Sequence, residues 1–116
     1  MKSDRKDIKE NVFIYRDLVD YQSGTIVSSQ IIDRDTGSVT VFAFDKGQRL
    51  SEHTAPYDAL VQVVDGKGTF TIQGVEHTVS AGQVLIMPAG KPHAVQAEQQ
   101  FKMVLTMIRA RDSKKE

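Results

Sequence analysis

The sequence predicts an all-β domain of about eight short antiparallel strands, folded as a double-sheet jelly roll or a closed barrel. Short runs rich in Val, Ile, Thr and Phe recur along the chain, and Gly, Asp, Pro and Ser separate them, as in proteins made of many strands. No window has a sustained apolar repeat of 3.6 residues, except for one turn of helix that residues 17–21 could form. The 116 residues have the length of one compact domain. We therefore expect a single domain over residues 11–109 that is almost free of helix.

The apolar runs and the turns between them define the strands. The candidate strands are residues 12–15, 25–32, 38–45, 59–64, 69–72, 76–79, 83–87 and 100–108. Three predicted hairpin turns contain residues that tolerate a positive φ: Asp35-Thr36-Gly37, Asp65-Gly66-Lys67-Gly68 and Gln73-Gly74. These turns predict antiparallel pairing of consecutive strands.

The last candidate strand has two different faces. Its inward positions are Phe101, Met103, Leu105 and Met107, and its outward positions are Lys102, Val104 and Thr106. One face therefore belongs to the core, while the other is only partly polar. This mixed outer face predicts a subunit interface and hence a homodimer.

Composition argues against several classes of function. Lys+Arg and Asp+Glu each total 15, so the net charge is zero and no field attracts nucleic acid or an anionic membrane. The absence of Cys excludes disulfides, thiolate zinc sites and a cysteine nucleophile. The charged segments 1–10 and 110–116 predict flexible termini, and the first has no apolar core of a secretion signal. We expect a cytoplasmic protein that binds neither nucleic acid nor membrane.

Two stretches of the chain resemble the two motifs of the cupin family. They read GQRLSEHTAPYDALVQVVDG from Gly47 and GQVLIMPAGKPHAVQA from Gly82. In the first, the matching residues are Gly47, His53 and Gly66, with Ala55 at the second His position and Ala59 at the Glu position. In the second, they are Gly82, Pro88, Gly90 and His93, with Ala97 at the Asn position. The resemblance implies the double-stranded β-helix of the family, a jelly roll of the RmlC-like cupin barrel, in agreement with the strand pattern.

The resemblance also implies where a metal would bind. In the family, three His residues and one acid of the motifs hold a divalent metal, and only His53 and His93 remain of them here. Two imidazoles are fewer ligands than catalytic zinc or the two-His-one-carboxylate iron site uses. Any divalent ion (Zn, Ni, Mn or Fe) would therefore be weakly held, with water as the remaining ligand. Asp58 would complete the site only if a bulge turned it inward, because adjacent side chains of a strand point to opposite faces.

The two alanines favour an organic ligand over a metal. They leave an uncharged and wider pocket, which suits a small organic molecule held by the two histidines. The candidate ligand-binding residues are His53, His93, Ala55, Ala59, Val61 and Met103. Plain core packing also explains Val61 and Met103, and a purely structural histidine pair is the simplest alternative for the site.

Two enzymatic alternatives and one non-enzymatic alternative stay open. The first is a metal-dependent dioxygenase, decarboxylase or isomerase that takes its missing ligands from water, substrate or a bulged Asp58. The second is a metal-free enzyme with His53 as general base, oriented by Asp58 or Tyr57. The third is a sensory or storage role, without direct DNA binding because no helix-turn-helix follows the last strand.

Two polar residues outside the motif positions also carry expectations. Gln62 is unexpected among valines, so we interpret it as an interface or hydrogen-bonding residue. His77 lies between Glu76 and Thr78 and is expected on the surface.

Overall fold

The chain forms two antiparallel β-sheets that enclose a shared core. The computed structural model describes residues 8–111. Its strands are β1 (Ile26–Arg34), β2 (Gly37–Phe44), β3 (Arg49–His53), β4 (Tyr57–Ile72), β5 (Val75–Ser80), β6 (Val84–Met87), β7 (His93–Gln96) and β8 (Phe101–Arg109). Sheet A has the order β1-β2-β8-β4-β6, and sheet B has the order β5-β4-β7-β3. All pairs are antiparallel, and the expected all-β jelly roll is confirmed.

Two of the three predicted hairpins are present. Arg34 pairs with Gly37 and Ile72 pairs with Val75, so that each loop has two residues. In the second loop, Gln73 and Gly74 have φ values of 49° and 82°. Two successive positive φ angles are typical of the turn whose twist matches a hairpin.

The third predicted hairpin, at residues 65–68, is wrong. Strand β4 runs through it without a break for 16 residues. Its register against β8 shifts between Val63 and Asp65, which is a β-bulge. Gly66 still pairs with Phe101 in sheet A, whereas the next residue, Lys67, pairs with β5 in sheet B. A glycine with positive φ serves a bulge as well as a turn, and here it lets one strand bend from one sheet into the other.

Substitution of Gly66 should be costly because two independent effects add. Its φ is +71°, and a Cβ there would lie 2.3 Å from the carbonyl oxygen of Gln100 and 3.1 Å from the Cα of Phe101. We expect Gly66→Ala to lower the free energy of unfolding by more than about 2 kcal/mol in urea denaturation. The matched control is Gly24→Ala, because Gly24 has a φ of +70° and nothing within 4 Å, so only the backbone cost of about 1 kcal/mol remains. Equal losses in both variants would show that the close approach at Gly66 costs nothing.

Other differences from the sequence-based prediction concern short elements. Residues 12–15 form no strand, and the helical turn is a 3-10 helix at Tyr15–Asp17 instead of residues 17–21. Strands β3 and β7 were not among the candidates. Strand β3 is mostly exposed and polar, so its sequence lacks the alternation of apolar residues that marks a strand. Strand β7 has only four residues, which is too short for such an alternation to be recognised.

The N-terminal segment covers part of the outer face of sheet A. Val19 packs with Val41 and Val104 in a small apolar cluster, in which Val104 is fully buried. The Tyr21 hydroxyl donates a hydrogen bond to Asp65 Oδ2 at 2.5 Å. Burial raises the pKa of Tyr21, and the Asp65 carboxylate raises it further, so the phenol keeps its proton. The outer face of β8 at Val104 is therefore covered by this chain itself.

The ends of the described segment are hydrogen-bonded. The predicted flexible termini, residues 1–10 and 110–116, lie for the most part outside the described residues. Asn11 N–H donates to the Ile8 carbonyl at 3.3 Å, and Ala110 N–H donates to the Pro56 carbonyl at 3.0 Å. Within residues 8–111, no helix is long and apolar enough to cross a membrane.

Candidate functional site

The two motif histidines contact each other in sheet B. His53 ends β3, His93 begins β7, and the two residues are partners in the antiparallel ladder. Their ring centroids are 4.5 Å apart with an interplanar angle of 65°, an edge-to-face contact. His93 is buried, at 7% exposure, while His53 is exposed. The two imidazoles are therefore direct neighbours on adjacent strands, with one ring inside the barrel and one nearer to solvent.

The loop of the second motif sets the position of His93. Gly90 has a φ of +79° and donates its N–H to the Ala55 carbonyl at 2.9 Å. On the other side, the Pro92 carbonyl accepts from Gln73 N–H at 2.9 Å. Because the loop is bonded to both flanking segments, the start of β7 is fixed and His93 enters the barrel from a defined point.

Backbone hydrogen bonds fix the tautomer of both rings. His53 Nδ1 lies 2.9 Å from the Ser51 carbonyl oxygen, and His93 Nδ1 lies 3.2 Å from that of Lys91. A carbonyl oxygen can only accept, so each Nδ1 carries a proton, and in the neutral imidazole Nε2 then presents a lone pair. Burial lowers the pKa of His93, and the neighbouring His53 lowers it further, against the bond to Lys91. His93 is thus held in the neutral form, able to accept a hydrogen bond or bind a metal through Nε2.

A small cavity between the sheets includes both histidines in its wall. Its volume is about 50 Å³. The lining residues are Leu50, His53, Ala55, Tyr57, Ala59, Met87, His93, Val95, Met103, Leu105 and Met107. Pockets for drug-sized ligands have volumes of about 300–1,000 Å³. This cavity therefore has room for an ion, a molecule of few heavy atoms, or one end of a larger molecule.

Five of the six predicted ligand-binding residues line this cavity, and Val61 does not. Val61 is fully buried, with Leu85 and Leu105 opposite it on the neighbouring strands. It belongs to the packed core, the alternative that the sequence left open. A strand residue whose side chain points inward is therefore not always part of the cavity wall.

Several lining residues were not predicted. Leu50, Tyr57, Met87 and Val95 belong to this group. Met87 directly precedes Pro88 of the second motif, but its place beside the site depends on its register opposite Ala59 across the β4–β6 ladder. Leu50 and Val95 are partners in the ladder of β3 and β7, the two strands that sequence reasoning missed.

The residues present do not fit the divalent metal site that the resemblance implies. Positions 55 and 59 are alanines, and the Asp58 carboxylate points away, because its Oδ1 accepts from Ala89 N–H at 2.9 Å. Asp58 pairs regularly with Ile108, so the bulge that would turn it inward is absent at this position. Among residues 8–111, no three His, Cys, Asp or Glu side chains are placed to hold an ion.

The metal-free general-base arrangement lacks its expected orienting group. His53 Nδ1 is bound to the Ser51 carbonyl rather than to a carboxylate or a phenol. Asp58 is bound to Ala89 N–H, and the Tyr57 hydroxyl accepts from an Arg109 guanidinium nitrogen at 3.2 Å. Neither predicted partner therefore contacts His53 in the manner that this mechanism requires.

The two polar residues outside the motif positions have different environments. Gln62 lines a groove of about 330 Å³ on the outer face of sheet A, beside Ile14 and Val84. His77 was expected on the surface and is half-buried, opposite Phe70 on β4. It does not line the cavity of the other two histidines.

Comparison with known proteins agrees with this fold. Residues 40–109 match the cupin domain family. The fold is similar to that of a conserved protein of unknown function from Streptococcus pyogenes, 32% identical, with a TM-score of 0.84 over 89% of this chain and 90% of that chain. It is also similar to a cupin 2 conserved barrel domain protein from Leptotrichia buccalis, 40% identical, with a TM-score of 0.80 over 81% of this chain and 46% of that chain, so this chain spans less than half of that protein.

One more distant likeness concerns the fold alone. An RmlC-like cupin from Shewanella frigidimarina is 19% identical, with a TM-score of 0.69 over 76% of this chain and 79% of that chain. No curated protein matches the sequence.

Proposed function

Since this chain belongs to the cupin family, we propose that its barrel cavity binds a small organic molecule through His53 and His93. One observation carries the proposal. The ring centroids of the two imidazoles are 4.5 Å apart. Each ring forms a hydrogen bond to a backbone carbonyl through Nδ1, which leaves Nε2 for a ligand. Two acceptor atoms at one end of an apolar cavity are the combination that orients a small ligand.

The cavity wall defines the class of ligand. With neutral histidines, none of the lining residues carries a formal charge, and most are aliphatic or thioether side chains. Because Nε2 accepts, the ligand must donate, so a hydroxyl group fits where a carboxylate does not. The volume of about 50 Å³ further limits the ligand to a few heavy atoms or to the end group of a larger molecule. A small neutral alcohol or phenol satisfies all three conditions.

Fragment binding to histidine variants tests this function. We expect neutral hydroxylated fragments to bind the wild type and to lose at least about tenfold in affinity in His53→Ala and in His93→Leu, the cost of one hydrogen bond. Ligand-observed NMR titration measures the affinity. His77→Ala is the matched control and should bind as the wild type does. Unchanged affinity in both cavity variants, or no binding by any hydroxylated fragment, would contradict the proposal.

Homodimerisation stays a prediction, and one feature of sheet A supports it. A row of side chains crosses its outer face through β1, β2, β8, β4 and β6: Ile32, Val39, Thr106, Leu60 and Ile86. Ile32 is 49% exposed and Ile86 is 60% exposed. Burial of such a row against a second copy would remove apolar surface from water.

A further inference from the structure

We propose that the cavity is also a site for a soft monovalent cation, Cu(I), bound by His53, His93 and the thioethers of Met87 and Met107. This site goes beyond the proposed function, because it uses side chains that the organic ligand does not need for its hydrogen bonds. The ion and the hydroxylated ligand would compete for the same Nε2 atoms.

Strand register places Met87 and Met107 beside Ala59, which occupies the position of the acid in the cupin motif. Met87 on β6 and Met107 on β8 are both direct partners of Ala59, one on each side of β4. Directly opposed residues of an antiparallel pair have Cβ atoms about 4.5–5.5 Å apart. The three-bond side chain of methionine can turn its sulfur into space that a smaller neighbour leaves. Position 59, at which the cupin resemblance implies an acid, thus has a methionine as its partner on each neighbouring strand.

The nitrogen donors come from the other sheet. His53 and His93 belong to β3 and β7 of sheet B, while Met87 and Met107 belong to sheet A. All four side chains line the same cavity. Each imidazole is held by its Nδ1 bond with Nε2 left as the coordinating atom. Two imidazoles and two flexible thioether side chains therefore border one cavity.

Charge favours a monovalent ion over a divalent one. None of the lining side chains is a carboxylate or a thiolate, so nothing in the wall neutralises the ion. The cost of taking an ion out of water grows with the square of its charge, so a divalent ion costs about four times as much as a monovalent ion of the same size. Thioethers are soft ligands that select Cu(I), whereas Mn and Mg prefer oxygen ligands. The donor set and the charge of the wall thus agree on the same ion.

Core packing is the competing explanation for the methionines. The chain has four methionines, and three of them line this cavity. Methionine fills irregular gaps in many cores, and in that role leucine replaces it at little cost. The two explanations therefore make opposite predictions for Met→Leu variants, which keep the volume and remove the sulfur.

Competition with a Cu(I) chelator tests the site. Anaerobic titration of the purified protein with Cu(I) against bathocuproine disulfonate should show one high-affinity Cu(I) per chain. The double variant Met87→Leu with Met107→Leu should bind at least about tenfold more weakly, as expected when metal ligands are lost. Ag(I), a redox-inert substitute, should shift the methionine methyl signals of the wild type in NMR. His77→Ala is the control and should bind Cu(I) as tightly as the wild type.

Three outcomes would overturn the site: no retention of Cu(I) against the chelator, unchanged affinity in the Met→Leu double variant, or displacement of Cu(I) by equimolar Zn(II). Thermal unfolding of the double variant verifies that its fold is intact. The double variant keeps both histidines and should still bind the hydroxylated fragments. Loss of Cu(I) binding with fragment binding intact therefore supports the metal site, and fragment binding without any Cu(I) binding in the wild type refutes it without touching the proposed function.

Discussion

Replacement of Ala55 by His and Ala59 by Glu in one variant should create a divalent metal site. Both alanines line the cavity that holds His53 and His93, so the new side chains would supply the two ligands that the chain lacks. Loss of even an outer partner of a metal site costs roughly 10–100-fold in affinity. Gain of two direct ligands should therefore tighten binding of Zn, Ni, Mn or Fe by about a hundredfold or more.

Metal content and thermal stability measure this effect. The variant purified without chelator should carry close to one divalent metal per chain, and its melting temperature should rise with added metal, since an ion that binds only the folded state stabilises it. The matched control is Ala55→Asn with Ala59→Gln, which adds similar volume without strong ligands. Equal metal content in the two variants would show that positions 55 and 59 do not face a common ion.

Phe101→Ala should produce the largest loss of stability, about 4 kcal/mol in the free energy of unfolding. Phe101 is fully buried, and its ring stacks on Phe44 at 4.7 Å and meets Phe70 edge to face at 5.9 Å. A Cβ at Gly68 would lie 2.7 Å from this ring, so the backbone of β4 packs directly on it. The substitution therefore leaves a hole where both sheets meet.

Urea denaturation measures this loss against an exposed aromatic residue. Phe13 is 38% exposed, and its ring contacts that of Tyr15. Phe13→Ala should cost less than about 1 kcal/mol. Similar costs at the two positions would mean that the core relaxes around the missing ring of Phe101.

Sequence reasoning predicted the fold class and two hairpins because these depend on local patterns. The alternation of strand residues and the positive-φ turn at Gln73-Gly74 are visible without long-range information. The path of β4 was not predictable in this way. Gly66 has the same conformation in a bulge as in a turn, and only its pairing with Phe101 shows which of the two it forms.

The histidines and alanines of the site were predicted from motif spacing, while the chemistry around them depends on the structure. The direction of the Asp58 carboxylate follows from its bond to Ala89 N–H, a contact 31 residues apart in sequence. The tautomer of both histidines follows from carbonyl groups two residues away. The orientation of these carbonyl groups cannot be seen in the sequence. The approach of Met87 to Ala59 follows from ladder register, and a shift of one residue would turn its side chain outward.

The unequal bonding of the strands has a consequence for how a ligand reaches the cavity. Strand β4 pairs with β5, β6, β7 and β8, so its local opening would disrupt both sheets. Within residues 8–111, β3 pairs with β7 alone, and its register is irregular between Leu50 and His53. Transient fraying of β3 at the sheet border would admit a guest molecule and carry His53 with it, while the rest of the barrel stays closed.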